Sequence, residues 1–245
     1  MNKFEPISKH ISRLELPWRF FGVLNFPVSV WLIRTGDSFT LIDTGHPEAT
    51  NRLIPALHDA TQGRGPQRVL LTHAHIDHAG GLNALNLAWK PEVICHRDAA
   101  PLVRGEISYR QLKTKNLAFR LGRLLMPLPG WDVKISGVLE GGQSVAGLVV
   151  IHLPGHSPGH IGFLHPQDMV MICGDAVMNY RGRLSPPSPY FTQDPDVARA
   201  SIQRLADLDC RMLLPSHGLP ITTDVRARLQ NFLGDQKRSS SDPEW

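Results

Sequence analysis

The stretch LLTHAHIDHAGGL, at residues 70–82, constrains the fold of this chain more than any other feature. Its apolar start ends abruptly in His73, His75, Asp77 and His78, and two glycines then open a new segment. This pattern predicts a buried strand that delivers a loop of polar side chains, with a helix beginning just after it. Alternate residues of an extended segment point to one side, so His73 and His75 share a face while Asp77 and His78 turn to a neighbouring point. A two-metal site needs such an arrangement.

Three further apolar strands are each followed by a single candidate ligand: His156 in PGHSPGH, Asp175 in CGDAV and His217 in PSHG. Each is unremarkable alone, because a lone loop histidine is more often a surface residue and a Gly-Asp pair is usually a turn. Together they indicate one site assembled from several strand ends. H-x-H-x-D-H followed by these motifs, and preceded by LIDTG at residues 41–45, resembles the metallo-β-lactamase superfamily of binuclear metallohydrolases.

The resemblance implies a role for each motif residue. The expected metal ligands are His73, His75 and His156 for the first metal, Asp77, His78 and His217 for the second, and Asp175 bridging both. Asp43 of LIDTG would support the metal loop through hydrogen bonds without ligating, which is a common way to orient ligands. His160 is likewise expected to lie outside the ligand set. The His/Asp ligands favour two zinc ions, although manganese or iron accept the same donors.

Such a site implies hydrolysis. Two divalent cations about 3.5–4 Å apart share a bridging water and lower its pKa towards about 7. The expected reaction is attack of this hydroxide on the carbonyl of a small ester or lactone. Asp77 would orient the nucleophile and pass its proton to the leaving group. A purely structural zinc site is the poorer match, since such sites are closed and usually rich in cysteine.

The sequence leaves the substrate class open. The motifs look most like the short single-domain group that contains lactonases, in which a tyrosine often follows the bridging aspartate. Met178 stands at that place here, so Tyr180 and Tyr190 are the candidates for substrate binding. A thioesterase of the hydroxyacylglutathione hydrolase type is one alternative, although its usual C-terminal helical domain is not visible. A phosphodiesterase or nuclease is another, without a recognisable nucleic-acid-binding addition.

Strands and helices alternate along the chain, which predicts βαβ units. The resemblance implies an αββα sandwich, in which two mixed sheets pack face to face with helices outside. One hydrolase domain is expected over residues 1–235, a size that supports a single large core. The last helix is expected to stop at Gly234. Residues 236–245 lack apolar periodicity and are expected to form a disordered tail.

Residues 101–130 interrupt this alternation with six Lys or Arg residues against one acid, Glu106. Four leucines fall at helical spacing: Leu117, Leu121, Leu124 and Leu125. We expect one or two amphipathic helices whose leucines contact the core and whose basic face is solvated. An insertion at this place is suited to a lid over the site or a homodimer surface. A helix lying on a membrane surface would need further support.

Composition restricts the remaining possibilities. A hydrophobic content of 42% and a charged content of 20% are ordinary for a globular protein, and no apolar run reaches the length of a membrane span. Three scattered cysteines and an N-terminus without a secretory signal lead us to expect a reducing cytoplasm. The net charge of +4 is too small to predict a nucleic-acid partner, so a small-molecule substrate is expected. His10, His58 and His165 lack a motif context and are expected at the surface.

Overall fold

A computed structural model of the chain describes residues 3–20, 24–126 and 130–241. The strands of its first half are β1 (Glu5–Pro6), β2 (Ile11–Leu16), β3 (Arg19–Phe20), β4 (Leu24–Asn25), β5 (Val28–Thr35), β6 (Ser38–Ile42), β7 (Arg68–Leu70), β8 (Glu92–His96) and β9 (Ile135–Leu139). One mixed sheet has the order β1-β2-β5-β6-β7-β8-β9, and β3 pairs with β4 separately. The run from β6 to β9 is parallel, while β1, β2, β5 and β6 pair antiparallel.

The strands of the second half are β10 (Ser144–Val145), β11 (Leu148–His152), β12 (Ile161–His165), β13 (Val170–Gly174), β14 (Met178–Tyr180), β15 (Arg183–Ser185) and β16 (Met212–Pro215). A second mixed sheet has the order β10-β11-β12-β13-β16, and β14 pairs with β15 as a separate ribbon. Only the contact between β13 and β16 is parallel within this sheet.

The helices are α1 (Thr50–Ala60), α2 (Ile76–Ala79), α3 (Leu82–Ala88), α4 (Ala100–Val103), α5 (Leu117–Gly122), α6 (Pro195–Asp207) and α7 (Val225–Ser241). Short 3₁₀ turns at Pro47–Ala49 and Tyr109–Gln111 precede α1 and α5. Among the helices described, none combines the length and the apolar character that a membrane span requires.

The strand residues alternate between separate apolar clusters, which defines the layers. On β5, Val30 and Leu32 pack towards the helices α1, α3 and α4, while Trp31 and Ile33 pack between the two sheets. This is the two-residue side-chain period of an extended strand with both faces buried.

On β13, Val170 and Ile172 join the cluster between the sheets, while Met171 and Cys173 pack beneath α6 and α7. The layers are therefore helix, sheet, sheet and helix, and the expected αββα sandwich is confirmed.

The topology gathers the motif residues at one edge of the sandwich. β6 and β7 are parallel. β6 ends just before Asp43, and β7 ends at Leu70, where the histidine-rich stretch of residues 70–82 begins. In the other sheet, β13 and β16 are parallel and end just before Asp175 and His217. The carboxyl ends of parallel strands lie at the same edge of a sheet, which is where open α/β sheets bind ligands.

The insertion differs from the sequence expectation in which side chains it buries. Its four spaced leucines are exposed: Leu117 by 68%, Leu121 by 64%, Leu124 by 57% and Leu125 by 58%. A second stripe, three and then four residues apart, is buried instead, namely Phe119, Gly122 and Met126. The expectation that the leucines contact the core is therefore wrong. Residues 127–129 of the insertion lie outside the described residues.

The sizes of the side chains at Phe119 and Gly122 explain which face of α5 is buried. Phe119 is fully buried, and a buried aromatic ring removes more apolar area from water than a leucine does. Gly122 lets the helix approach the chain at Tyr190, because a Cβ atom there would lie 2.0 Å from the Tyr190 carbonyl oxygen. The α5 face that carries the glycine is therefore the one that can pack closely.

The C-terminal helix also differs from the expectation. α7 runs through Gly234 to Ser241, so residues 236–241 are helical where a disordered tail was expected. A glycine inside a helix costs only about 1 kcal/mol relative to alanine. Leu229 and Leu233 are buried in the core beneath α7, and their burial offsets that cost. Residues 242–245 lie outside the described residues.

Candidate metal centre

The structure brings all seven expected ligands into one buried cluster. Within each of three groups, one donor atom per residue lies within 4.8 Å of the others: His73 with His75 and His156, Asp77 with His78 and His217, and His73 with His78 and Asp175. Each of the seven side chains belongs to a residue that is at most 7% exposed. The cluster thus gathers side chains from a span of 144 positions in the chain, from His73 to His217.

In the first triplet, the donor nitrogens face each other. The Nδ1 atom of His75 lies 3.0 Å from Nε2 of His73 and 3.1 Å from Nε2 of His156. The outer Nδ1 atoms of His73 and His156 lie 3.0 and 3.1 Å from the hydroxyls of Thr72 and Thr192. Those threonines place the imidazole protons on the outside and leave lone pairs facing inwards.

The second triplet surrounds the carboxylate of Asp77. Its Oδ2 atom lies 3.3 Å from Nε2 of His217 and 3.6 Å from Nε2 of His78. On its outer side, Nδ1 of His217 donates a hydrogen bond of 3.0 Å to the Pro27 carbonyl. Asp175 faces both triplets, with Oδ1 at 3.3 Å from His78 Nε2 and Oδ2 at 3.6 Å from His156 Nε2.

Asp43 supports the loop that follows β7 and carries His73, His75, Asp77 and His78. Its carboxylate accepts hydrogen bonds from the Thr72 amide at 2.8 Å and the Thr72 hydroxyl at 2.7 Å, and from Nδ1 of His78 at 2.8 Å. Asp43 adopts a φ of +59°, a left-handed conformation that aspartate tolerates better than most residues. Asp43, at the end of β6, therefore fixes both the loop and the orientation of His78. Both oxygens of its carboxylate take part in these three hydrogen bonds.

His160 is held in place by two hydrogen bonds. Its Nδ1 atom donates to the Leu153 carbonyl at 3.0 Å, and its Nε2 atom accepts from the Asp175 amide at 3.0 Å. Neither nitrogen is left to point into the cluster. The residue thus orients the backbone that carries Asp175.

The cluster has the features that a bound cation would satisfy. Three buried polar atoms within it have no hydrogen-bond partner: His75 Nε2, His78 Nε2 and Asp175 Oδ1. With their Nδ1 protons directed outwards, His73 and His156 both direct the lone pair of Nε2 towards Nδ1 of His75, a convergence that a bound cation would stabilise. Tetrahedral zinc–nitrogen bonds of about 2.1 Å place two ligand nitrogens about 3.4 Å apart, close to the separations here. Neutral imidazoles and carboxylates are the donors that such a cation binds.

The pKa shifts describe the same electrostatics. Burial lowers the pKa of His75 to about 4, because the nearby Asp77 carboxylate does not compensate for the lost solvation. Burial also lowers the pKa of His78, but the carboxylates of Asp175, Asp77 and Asp43 outweigh it and raise the value to about 10. The carboxylates therefore create a negative potential that stabilises positive charge at the centre of the cluster.

The cluster opens into a cavity of about 970 Å³. Trp18, Phe26 and Pro47 form part of its wall, and Met126 and Trp131 of the insertion region form another part. None of the described side chains that line it belongs to Lys or Arg. The basic residues of the insertion therefore lie outside the cavity, whose wall is mainly apolar.

The three tyrosines are placed differently. Tyr180, a sequence candidate, is half-buried and lines the cavity, whereas Tyr190 is 53% exposed and does not line it. Tyr109, which the sequence reasoning missed, lines the cavity at 3% exposure, with its ring 5.0 Å from the ring of His75. Its hydroxyl is buried without a hydrogen-bond partner. The available signal was the capping box from Ser108 to Gln111, which folds a tight turn around this tyrosine.

Comparison with known proteins identifies the family. Residues 23–217 match the profile of the metallo-beta-lactamase superfamily. The chain is 32% identical over 206 residues to the probable metallo-hydrolase YflN of Bacillus subtilis, covering 76% of this chain and 77% of YflN. It is 30% identical over 223 residues to the acyl-coenzyme A thioesterase MBLAC2 of Gallus gallus, covering 77% and 72%.

A solved structure agrees. The crystal structure of TTHA1623 in a di-iron-bound form superimposes with a TM-score of 0.62 at 34% identity, covering 89% of this chain and 99% of that one. The fold and the buried His/Asp cluster define a metallohydrolase-type protein. This chain belongs to the metallo-β-lactamase superfamily.

Proposed function

We propose that this protein is a binuclear metal-dependent hydrolase whose substrates are carboxylic esters or lactones. One observation carries the proposal: seven buried His and Asp donors, three of whose polar atoms lack partners, converge where the cavity ends. His73, His75 and His156 would hold one cation, and Asp77, His78 and His217 the other, with Asp175 shared. Zinc is our first choice for this donor set. Iron is the second, because the similar TTHA1623 has a di-iron-bound form.

Two bound divalent cations would supply an activated water and a Lewis acid for the substrate oxygen. Asp77 is the residue that can move a proton. Burial raises the pKa of Asp77, but His78 and His217 outweigh burial and hold the pKa below its usual range. Asp77 is therefore a carboxylate at neutral pH, and it lines the cavity, so it can accept a proton and release it to a leaving group.

We assign substrate binding to Tyr109 and Tyr180, which both line the cavity. Burial raises the pKa of Tyr109 well above its usual value, so its hydroxyl stays a hydrogen-bond donor. This hydroxyl is buried and has no protein partner, so a small shift of the side chain into the cavity would let a substrate oxygen accept its hydrogen bond without breaking another. Tyr180 lines the cavity beside Met178 on the ribbon strand β14 and offers a second, less buried donor.

The cavity favours a neutral, largely apolar substrate over a phosphodiester. Its volume of about 970 Å³ lies at the upper end for ligand pockets, and no described Lys or Arg lines it to bind phosphate. A thioester is the second candidate, since the relative MBLAC2 is an acyl-coenzyme A thioesterase. An acyl group long enough to use the apolar wall fits both candidates.

The test is a panel of substrates with defined metal loading. Zinc-, iron- and manganese-loaded protein would be assayed on an acyl ester, a δ-lactone, a glutathione thioester and a phosphodiester, with Asp77→Asn as the blank. We expect turnover of the ester and lactone that chelation abolishes and metal restores. Preferred hydrolysis of the thioester would select the second candidate. Turnover of the phosphodiester alone, or activity that survives chelation, would contradict the proposal.

A further inference from the structure

Leu117, Leu121, Leu124 and Leu125 form an exposed apolar surface on the insertion, which we name the leucine patch. Single exposed leucines are normal on a protein surface, but contiguous exposed apolar patches mark binding surfaces. Leu125 belongs both to the patch and to the cavity wall, together with the next residue, Met126. The patch therefore adjoins the wall of the cavity at Leu125.

The leucine patch is presented by a well-anchored helix. Phe119 on the opposite face of α5 is fully buried. The side-chain amide of Asn116, which caps α5, donates hydrogen bonds to the carbonyls of Pro189 at 2.8 Å and Thr192 at 2.7 Å. The leucines are therefore exposed because α5 packs on the protein through its opposite face. Its N-terminus is hydrogen-bonded to the segment that contains Pro189 and Thr192.

The segment that carries the patch is positively charged. The exposed cations of this segment are Arg110, Lys113, Lys115 and Arg120, and among the described residues none of them forms an ion pair. The guanidinium of Arg110 donates to the Leu124 carbonyl at 3.3 Å, which places that cation beside the patch. No Asp or Glu occurs from residue 107 to residue 131. The surface thus combines exposed leucines with cations that form no ion pair among the described residues.

We propose that the leucine patch and its cations dock on an anionic phospholipid bilayer. Leucine side chains would enter the acyl boundary while the Lys and Arg side chains bind headgroup phosphates, as in interfacial amphipathic segments. A second copy of the chain fits less well. A two-fold contact between two such patches would bring the same cations of both copies against each other. Docking would also bring the cavity wall at Leu125 close to the membrane surface, where apolar substrates partition.

Vesicle co-sedimentation tests this inference independently of the hydrolase proposal. The full chain would be mixed with vesicles of phosphatidylcholine alone or of phosphatidylcholine with phosphatidylglycerol. We expect binding to the anionic vesicles to be at least about tenfold stronger, because each Lys or Arg near such a surface contributes about a fivefold gain. That preference should weaken as salt is added.

Two variants examine the two components separately. Leu117→Ser with Leu121→Ser should reduce binding to anionic vesicles by about tenfold or more, since each leucine loses its transfer into the acyl boundary. Lys113→Gln with Lys115→Gln and Arg120→Gln should remove most of the preference for anionic lipid. Leu87→Ser is the matched control, because Leu87 lies on α3 at 85% exposure and outside the patch. Circular dichroism would verify that each variant is folded.

Three outcomes would overturn the inference. The first is no sedimentation with anionic vesicles at low salt. The second is binding that the double leucine variant leaves unchanged. The third is a lipid-free dimer in analytical ultracentrifugation that this variant converts to a monomer, which would assign the patch to a second copy of the chain.

Discussion

Two clusters of histidine and aspartate occur among the described residues, and only one of these two has the features of a candidate metal centre. The second, which we name the far cluster, consists of His10, His165 and Asp168, whose donor atoms also lie within 4.8 Å of one another. β12 and β13 connect the two clusters. His160 and Asp175 flank this hairpin at the metal-centre end, while His165 and Asp168 lie at its turn. At about 3.3 Å per residue, the clusters are more than about 10 Å apart.

The clusters differ in how their polar atoms are used. The Asp168 carboxylate accepts hydrogen bonds from the Ser8 hydroxyl, from the His10 amide at 3.1 Å and from His10 Nδ1 at 2.7 Å. The Asp168 amide in turn donates to Nδ1 of His165 at 3.1 Å. No buried polar side-chain atom of these three residues lacks a partner, whereas the metal centre has three such atoms.

The comparison teaches that closeness of His and Asp side chains does not by itself define a metal site. A candidate site needs ring nitrogens that converge on one point, as those of His73, His75 and His156 do. At the far cluster, the Asp168 carboxylate already accepts hydrogen bonds from Ser8 and His10. These bonds connect the N-terminal strands to the β12–β13 turn.

The largest expected effect is at Asp175, the carboxylate that faces both triplets. Asp175→Asn should lower kcat/KM on the order of 10³-fold, because a neutral amide cannot balance two cations and removes a shared ligand. Metal analysis should show a reduced metal content per chain. Asp168→Asn is the matched control at the far cluster and should leave the metal content unchanged. Metal loss in the control with full retention in Asp175→Asn would reverse the assignment of the two clusters.

Asp77→Asn should separate proton transfer from metal binding. If Asp77 moves the proton, the variant should lose about 10²- to 10⁴-fold in kcat with little change in KM. Steady-state kinetics on variant protein with verified metal content would measure this. Wild-type kinetics at full metal loading would contradict the role.

Tyr109→Phe should show opposite effects on activity and on stability. Loss of a donor to the substrate oxygen should lower kcat/KM by about tenfold to a hundredfold. Stability should not fall and should rise by up to about 1 kcal/mol, since a buried hydroxyl without a partner costs free energy in the folded state. Tyr190→Phe, at an exposed position outside the cavity, is the control for both measurements. Unchanged kinetics in Tyr109→Phe would remove Tyr109 from the substrate site.

The convergence of the seven His and Asp side chains could be predicted because each residue follows a strand in a recognisable motif, as His73 and Asp175 do. The far cluster could not. His10 and His165 were expected at the surface, yet His165 is buried and His10 half-buried. Asp168 meets His10 across 158 residues of sequence, and neither residue belongs to a motif. Hydrogen-bond saturation is a property of the folded arrangement, which no local pattern records.

The insertion shows a different limit of sequence reasoning. Its sequence contains two apolar stripes at helical spacing, one through Leu117 and Leu121 and one through Phe119, Gly122 and Met126. From periodicity alone, we expected the leucine stripe to be the buried one. The close approach of Gly122 to Tyr190 favours burial of the second stripe. Local periodicity cannot show this contact, because it joins separate parts of the chain. Tyr109 was missed for a related reason, because its role depends on the cavity that the insertion helps to close.

The smallest expected effect is at the far cluster, where Asp168→Asn should change stability alone. Losing the charge-assisted bonds from His10 and Ser8 should lower the free energy of unfolding by about 1–3 kcal/mol at neutral pH. Burial raises the pKa of Asp168, but hydrogen bonds from Ser8 and His10 outweigh it and leave the pKa below its usual value. The folded-state pKa is thus depressed, so this stabilisation is present above the unfolded pKa of about 3.9 and is lost as pH falls through the folded value. Urea unfolding of both proteins should therefore give a difference at pH 7 that shrinks below about pH 4. A difference that grew towards low pH would mean that the Asp168 carboxylate does not stabilise the fold through these bonds.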